Sequence, residues 1–268
     1  MRTASLPMYR FAETQAAVLV FWAHLKRRLI TKGLVVEDIV FDRERRPVPD
    51  GIGPQIFFTQ ICGYPLFKRF RDQGHMLATP SYSFPGCSEG AHCAFFMVRA
   101  EDPAVRLEDM RERVFGCNSL LSNSGMNLPR LSLARVAGGR RFFSSVVMTG
   151  GHLESLARLR EGAIDLCSID NVTWGFFHKL RSAEASRFRI LDRTVSSPSL
   201  PFVTSVETPA RQIAALRDSI DELMTDVEML NIRESLGLRG VEEPKTAAYE
   251  RLADFEREAA ELGYAEII

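Results

Sequence analysis

Ser122, Asn123, Ser124 and Gly125 place two hydroxyls, a carboxamide and a bare backbone position directly before residues 126–137, whose spacing predicts a helix. The first N–H groups of a helix have no acceptor inside it and its dipole favours negative charge there, so this combination suits an oxyanion. Farther along, Thr149-Gly150-Gly151-His152 opens a second predicted helix, and Leu166-Cys167-Ser168-Ile169-Asp170 reads as a strand ending on a polar residue. A tetrahedral oxyanion accepts from several directions. Short hydroxyl and amide donors, backbone N–H groups and a histidine can therefore surround it without a full countercharge. Each residue also has a structural reading: Ser122 or Ser124 as an N-cap worth about 1 kcal/mol, Asp170 as the cap of a helix over 171–180, His152 as a cap or a surface histidine.

A second chemistry is open to the same residues, with a serine as nucleophile, His152 as base and Asp170 as orienting carboxylate. Gly86-Cys87-Ser88-Glu89-Gly90 has Gly-x-Ser-x-Gly spacing but lies in a predicted loop and not in a strand-to-helix elbow, and the chain holds no His-Glu-x-x-His, no phosphate-binding Walker loop and no Gly-x-Gly-x-x-Gly, so a serine at a helix start is better suited to holding than to reacting. The five cysteines, Cys62, Cys87, Cys93, Cys117 and Cys167, are odd in number and scattered, which rules out a complete disulfide framework and a CxxC zinc pattern. They read as small buried apolar residues; pairing of Cys87 with Cys93, or a metal shared with His75 or His92, is the weaker alternative. No cofactor, no metal and no catalytic residue is expected.

The elements that must position these groups follow from pattern. With 268 residues the chain is long enough for two lobes with substantial cores. Its 34 basic and 34 acidic side chains cancel, giving no support to a nucleic-acid groove or an acidic-lipid surface, so any anion site must be local. A hydrophobic content of 46% with 25% charged residues excludes disorder. No run of apolar residues reaches the roughly 20 needed to span a bilayer, and no secretory leader is visible, so no direct membrane insertion is expected. With Met1 as the natural start the protein is expected in the cytoplasm; with a leader removed, it is exported.

Residues 3–8 read as a first strand, 12–32 as an amphipathic helix stopped at Gly33, 42–54 as a surface loop, and 55–60 as a buried strand running into Cys62-Gly63-Tyr64-Pro65. A strand at 77–79, a loop at 81–90 and a strand at 93–98 come next. Then helix 106–113, strand 114–117, helix 126–137, strand 142–148, helix 152–161, strand 164–169 and helix 171–180 alternate as in a mostly parallel α/β unit. After a strand at 188–195 the segment 196–201 turns back, and 206–268 is dominated by helical periodicity, with Ile213, Leu216, Ile220 and Leu223 on one face of a helix over 208–224. Ligands of α/β folds bind at the carboxyl ends of strands, where the loops at 60–64, 80–90, 118–125, 149–152 and 170 belong. Trp22 and Trp174 lie in apolar helical contexts and read as packing residues, and Tyr9 and Tyr82 as core, rim or ligand aromatics.

From Ser5-Leu6-Pro7-Met8-Tyr9 through Gln60-Ile61-Cys62-Gly63-Tyr64-Pro65, Ala78-Thr79-Pro80, Ser122-Asn123-Ser124-Gly125, Thr149-Gly150-Gly151-His152 and Ser168-Ile169-Asp170 to Leu200-Pro201-Phe202-Val203-Thr204, the chain resembles the phosphate, phosphite and phosphonate substrate-binding proteins of ABC transporters. The resemblance implies the α/β, two-lobed periplasmic-binding fold of type II, each lobe a mixed, mostly parallel sheet flanked by helices. It implies lobes of residues 1–92 with 200–268 and of 93–199, hinge crossovers near 91–99 and 195–205, and a small oxyanion in the cleft. The ligand contacts it implies are Ser122, Asn123, Ser124, Gly125, His152 and Asp170, with Tyr9, Gln60, Tyr82 and Thr204 from the other lobe, and the implied partners are transporter membrane subunits. One departure bears on the ligand. Where phosphonate-binding relatives carry an acidic residue after the proline matching Pro201, this chain has Phe202, Val203 and Thr204, so a phosphate-like or other small oxyanion is as open as an aminoalkylphosphonate. The other classes carried forward are a cytoplasmic ligand sensor and an enzyme acting on a small heterocyclic or phosphorylated compound.

Overall fold

The computed structural model describes residues 1–46 and 51–268, so part of the loop expected over 42–54 lies outside the described residues. In chain order the strands are β1 (Thr3–Ala4), β2 (Val40–Phe41), β3 (Ile56–Gln60), β4 (Gly74–Tyr82), β5 (Ala91–His92), β6 (Ala94–Arg99), β7 (Val114–Cys117), β8 (Ser145–Met148), β9 (Leu166–Asp170), β10 (Phe188–Arg193), β11 (Ser197–Pro198), β12 (Phe202–Ser205) and β13 (Leu238–Glu242). The α-helices are α1 (Gln15–Thr31), α2 (Gly63–Arg69), α3 (Leu128–Ala137), α4 (His152–Arg160), α5 (Asn171–Leu180), α6 (Ser182–Ala185), α7 (Ala210–Thr225), α8 (Leu230–Ser235) and α9 (Thr246–Glu261). The chain forms two units, Met1–Ala91 with Pro198–Thr246 and His92–Ser197 with Ala247–Ile268. No helix among the described residues is long and apolar enough to cross a membrane.

The first unit is built on a six-stranded sheet in the order β13-β4-β12-β3-β1-β2. β1 runs parallel to β2 and β3, whereas β12 runs antiparallel to β3 and β4, and β13 antiparallel to β4. All five residues of β3 are buried, apolar Ile56, Phe57 and Phe58 together with polar Thr59 and Gln60, as in a strand covered on both faces. α1 buries Ala17, Val18, Phe21, Trp22, Leu25 and Leu29, one stripe at helical spacing. Trp22 stacks on Phe58 with centroids 6.3 Å apart, which makes it a packing residue. The first strand is shorter than the expected 3–8, because Pro7 has no N–H to give a ladder.

The second unit holds a five-stranded sheet in the order β10-β6-β9-β7-β8. β9, β7 and β8 are mutually parallel, and β6 and β10 are antiparallel to their neighbours. Each sheet is thus mixed. Trp174 stacks on Phe177 at 5.9 Å within α5, again in packing. The helix expected over 106–113 is only a 3-10 turn, Leu107–Met110: Asp109 binds back to the Val105 and Arg106 N–H groups, and Glu112 takes a left-handed φ of 63° that ends it.

Two further expectations change. The region 206–268 contains β13, because Gly237 adopts φ 62° and turns the chain out of α8 into pairing with β4. The C-terminal residues 247–268, assigned from the sequence to the first lobe, belong to the second unit. α9 buries Tyr249, Leu252, Phe255 and Ala259 along one face, and buried Arg130 of α3 donates to the Ala265 carbonyl at 3.1 Å while standing 3.6 Å from Glu256. The chain therefore passes between units three times, at 91/92, 197/198 and 246/247.

Candidate functional site

Because β8, β7 and β9 are parallel neighbours, their carboxyl ends lie side by side, with Cys117 level with Met148 and Gly116 level with Cys167. Three loops leave this edge, each leading into a helix. The loop after β8 is bound to the loop after β7, Thr149 N–H donating to the Cys117 carbonyl at 2.8 Å and Gly150 N–H to that of Asn118 at 3.1 Å. Gly150 has φ 93°, which allows the chain to bend into α4.

The second loop delivers the serine-rich segment. Asn123–Asn127 form a π-turn that continues into α3, with Asn127 N–H reaching the Ser122 carbonyl at 3.1 Å. Ser122 is its N-cap, its Oγ accepting from Gly125 N–H at 2.9 Å. Gly125 is required by space: a Cβ there would lie 1.7 Å from Asn118 Oδ1. Asn123 donates through Nδ2 to Ser197 Oγ at 2.8 Å, and Asn127 donates to Asn123 Oδ1 at 3.1 Å and to the Leu252 carbonyl at 2.9 Å, so the turn is tied down on both sides. Ser168 Oγ donates to the Ser124 carbonyl at 2.6 Å and joins the turn to β9.

Ser124 and His152, far apart in sequence, meet here with Oγ and Nε2 3.0 Å apart. His152 Nε2 also stands 3.5 Å from Asn118 Nδ2, and its Nδ1 is shut off from solvent with no hydrogen-bond partner among the described residues. Burial, with a smaller push from His92, holds the His152 pKa below its ordinary value against the pull of Asp170 and the Ser168 backbone. His152 is therefore a neutral ring that can offer one N–H and not a standing positive charge.

Asp170 is 3% exposed and fully occupied. Its Oδ1 accepts from the N–H groups of Val172 at 2.9 Å and Thr173 at 3.1 Å, capping α5, and its Oδ2 lies 2.8 Å from His92 Nδ1. Burial raises the carboxyl pKa, but the His92 imidazole and the Thr173 N–H outweigh it, and the net direction is down. The cap reading of Asp170 describes what its oxygens do. His92 is the group that the sequence did not assign to this edge, and Asn118, in the loop over 118–125 expected there, was not singled out as a site residue. His92 arrives because β6 runs antiparallel to β9 with Ala94 opposite Asp170, a pairing that no local pattern announces. Its Nε2, like Asn118 Oδ1, is buried without a partner, and such an atom costs about 1–3 kcal/mol unless something binds it.

In the first unit, Gln60 at the carboxyl end of β3 donates through Nε2 to Tyr82 OH at 2.9 Å and to the Leu200 carbonyl at 3.0 Å. Tyr9, held at φ 57°, packs edge-on against Tyr82 with centroids 5.3 Å apart. Thr204 does not join this group. β12 runs antiparallel to β3, so its start lies beside Gln60 and Thr204 lies farther along, buried and 2.6 Å from Thr208 Oγ1. Also in this unit, His24, Asp226 and Glu228 have metal-ligand spacing, but arginines already occupy them: Arg28 pairs with Asp226, and Arg27 stands 3.2 Å from His24 Nδ1 and 3.6 Å from Glu228. All five cysteines are free thiols.

The second-unit edge thus gathers neutral donors, namely the N–H groups at the start of the π-turn, Ser124 Oγ and an imidazole N–H, the kinds of group that suit a small oxyanion. Among the described residues no carboxylate meets His152 Nδ1, and both Asp170 oxygens are engaged elsewhere.

A family described as the periplasmic substrate-binding protein of phosphonate ABC transporters has a model that matches residues 55–249. None of the curated proteins matches the chain in sequence. Among solved structures, a binding-protein component of an ABC phosphonate transporter from Pseudomonas aeruginosa shares 11% identity over 97% of this chain and 96% of its own, with a TM-score of 0.69. PhnD1 from Prochlorococcus marinus, solved with methylphosphonate, shares 13% identity over 97% and 98% at TM-score 0.68. XAC2383 from Xanthomonas citri, solved with ATP, shares 16% over 98% of both chains at TM-score 0.67. These structures share the two-lobed periplasmic-binding fold with this chain.

Proposed function

This chain belongs to the phosphonate periplasmic substrate-binding family of ABC transporters, and we propose that the carboxyl edge of its second-unit sheet seats the phosphoryl group of a phosphate, phosphite or phosphonate. The observation that carries this reading is the meeting of Ser124 Oγ with His152 Nε2, 3.0 Å apart, where the π-turn begins and its first N–H groups have no acceptor inside the helix. Ser124 and His152 contact the ligand directly. Asn123 supplies backbone N–H, and Ser122 and Gly125 shape the turn. Methylphosphonate, the ligand of the Prochlorococcus protein, is the first probe. The ATP of the Xanthomonas protein also ends in a tetrahedral phosphoryl group.

The protein acts as a binder and not as a catalyst, because a neutral histidine without an orienting carboxylate is a poor base for Ser124. Its partners are the small oxyanion and the membrane subunits of an ABC transporter. Calorimetry with phosphate, phosphite, methylphosphonate and aminoethylphosphonate tests the reading on the parent, Ser124→Ala and His152→Ala. One lost hydrogen bond to a charged ligand is worth about 1.5–3 kcal/mol, or roughly 10- to 150-fold in affinity. Absence of oxyanion binding, or affinity unchanged in both variants, refutes the site. Tyr9, Gln60, Tyr82 and Thr204 form a separate arm. We assign ligand contact to the Gln60–Tyr82–Tyr9 group, tested by Gln60→Ala, and a packing role to Thr204.

A further inference from the structure

His92 is the first residue of the second unit and is 1% exposed. It stands just before β6, beside Asp170 and at the edge where Ser124, Ser168 and His152 come together. Its Nδ1 is 2.8 Å from Asp170 Oδ2, and the other oxygen of that carboxylate is fixed by the N–H groups of Val172 and Thr173. The carboxylate cannot turn away, so the ring is locked with its Nδ1 as the N–H donor. The other ring nitrogen, Nε2, is buried without any hydrogen-bond partner among the described residues.

We propose that His92, oriented by Asp170, is a ligand-contacting residue whose Nε2 shares one proton with the bound oxyanion, so that the site takes a protonatable oxyanion together with one proton. The inference rests on reading this edge as an oxyanion site. A neutral His92 accepts from the P–OH of a monoanion, and a protonated His92 donates to the P–O⁻ of a dianion; both descriptions contain one proton. With neither partner protonated, two lone pairs face each other and the contact fails. The charged and titratable groups around His92 are Asp170 on β9, His152 at the start of α4 and the adjacent Cys93 thiol, with Arg193 of β10 acting on Cys93. Asp170 is the one that touches the ring.

The test is calorimetry of methylphosphonate between pH 6 and 9, in two buffers of different ionisation enthalpy, on the parent, His92→Asn and Ser124→Ala. Asparagine keeps an N–H near the Nδ1 position for Asp170 and removes Nε2. Expected for the parent is proton uptake rising towards one per ligand at the alkaline end, with affinity there falling tenfold per pH unit. His92→Asn is expected to bind at least tenfold more weakly at neutral pH and to lose the alkaline fall.

If His92→Asn matches the parent in affinity and pH profile while Ser124→Ala is weakened, the role of His92 is overturned and the oxyanion site stands. If the parent binds no oxyanion at any pH, the site reading falls and this inference with it. Should His92→Asn fail to melt cooperatively, Asp170→Asn takes its place, since its side-chain oxygen still caps α5. A flattened pH profile supports the inference and a parental one overturns it.

Discussion

Replacing Gly125 by alanine separates a space requirement from a backbone requirement. Gly125 is not among the glycines with positive φ, so alanine there meets no strained conformation and, inside a helical turn, gains up to about 1 kcal/mol of propensity. Against this, the new Cβ would lie 1.7 Å from Asn118 Oδ1, 2.5 Å from its Cγ and 3.2 Å from its Nδ2. Tipping one atom does not relieve such a clash; the whole carboxamide must leave, or the π-turn must move off β7. The Asn118 carboxamide has a neighbour on its other side, with its Nδ2 3.5 Å from His152 Nε2, so its retreat displaces His152 as well. Overpacking of this kind costs about 1–3 kcal/mol; from the middle of that range, about 2 kcal/mol, the propensity gain of up to about 1 kcal/mol leaves a net loss of about 1–2 kcal/mol, or roughly 2–8 °C in Tm for a chain of this size. Ser124 moves with the turn, and methylphosphonate affinity is expected to fall tenfold or more. Adding Asn118→Ala makes room and restores Tm, whereas Gly240→Ala, with nothing within 4 Å, leaves Tm unchanged. Thermal melts and calorimetry on the four proteins give the answer. A Gly125→Ala protein as stable and as tight-binding as its parent refutes the packing argument.

Three further outcomes follow from the same structure. Since burial lowers the His152 pKa from 6.5, the unfolded chain takes up a proton that the folded one refuses, and stability falls as pH drops below about 6.5 towards the folded value. Asp170, lowered from 3.8, adds a loss in the same direction at more acidic pH, so Tm should decline from pH 7.5 to 5 and His152→Gln should flatten that decline. Arg130 is 6% exposed and bonds Asn127 Oδ1 at 2.9 Å and the Ala265 carbonyl at 3.1 Å, so Arg130→Met should cost about 2–4 kcal/mol and accelerate amide exchange over 247–268, read by mass spectrometry. Burial pushes the Cys93 and Cys117 thiols up to about 11 and Cys167 higher still, so brief iodoacetamide treatment at pH 8 should label the half-buried Cys87 first.

The parts of this fold that can be read from sequence are those whose cause is local. α1, β3, α4 and α5 follow from apolar spacing and stop signals, and the serine-rich turn before α3 from hydroxyls and glycine ahead of a helix. What escapes is set by distant partners. The stripe Tyr249, Leu252, Phe255 and Ala259 announces a buried face on α9 but not the unit that buries it; Arg130 and Asn127 decide that. β13 is hidden in a helical region because its reason is pairing with β4. Thr204 looks like a neighbour of Gln60 until the antiparallel sense of β12 carries it away. His92 and Asn118 reach the site through strand register and a loop, neither of which leaves a periodic trace.

That same register explains how the proposed site tolerates an acidic residue. Two unit charges of like sign 4 Å apart repel by about 4 kcal/mol at an effective dielectric of 20, enough to cancel two or three hydrogen bonds from neutral donors to an oxyanion. Asp170 is buried at the end of β9, the strand that also holds Ser168 against the turn, so its charge could not be left open. It is met by His92 on one oxygen and by two N–H groups of α5 on the other, and His152 remains neutral beside it. With Asp170 met in this way, the proposed site needs no lysine or arginine at the edge, which fits a chain of zero formal charge. The cost is dependence on a single imidazole. Removing His92 altogether, as in His92→Ala, leaves one carboxylate oxygen without its partner, and weakened binding should then accompany a raised Asp170 pKa, a pairing of effects that direct loss of a ligand contact alone would not produce.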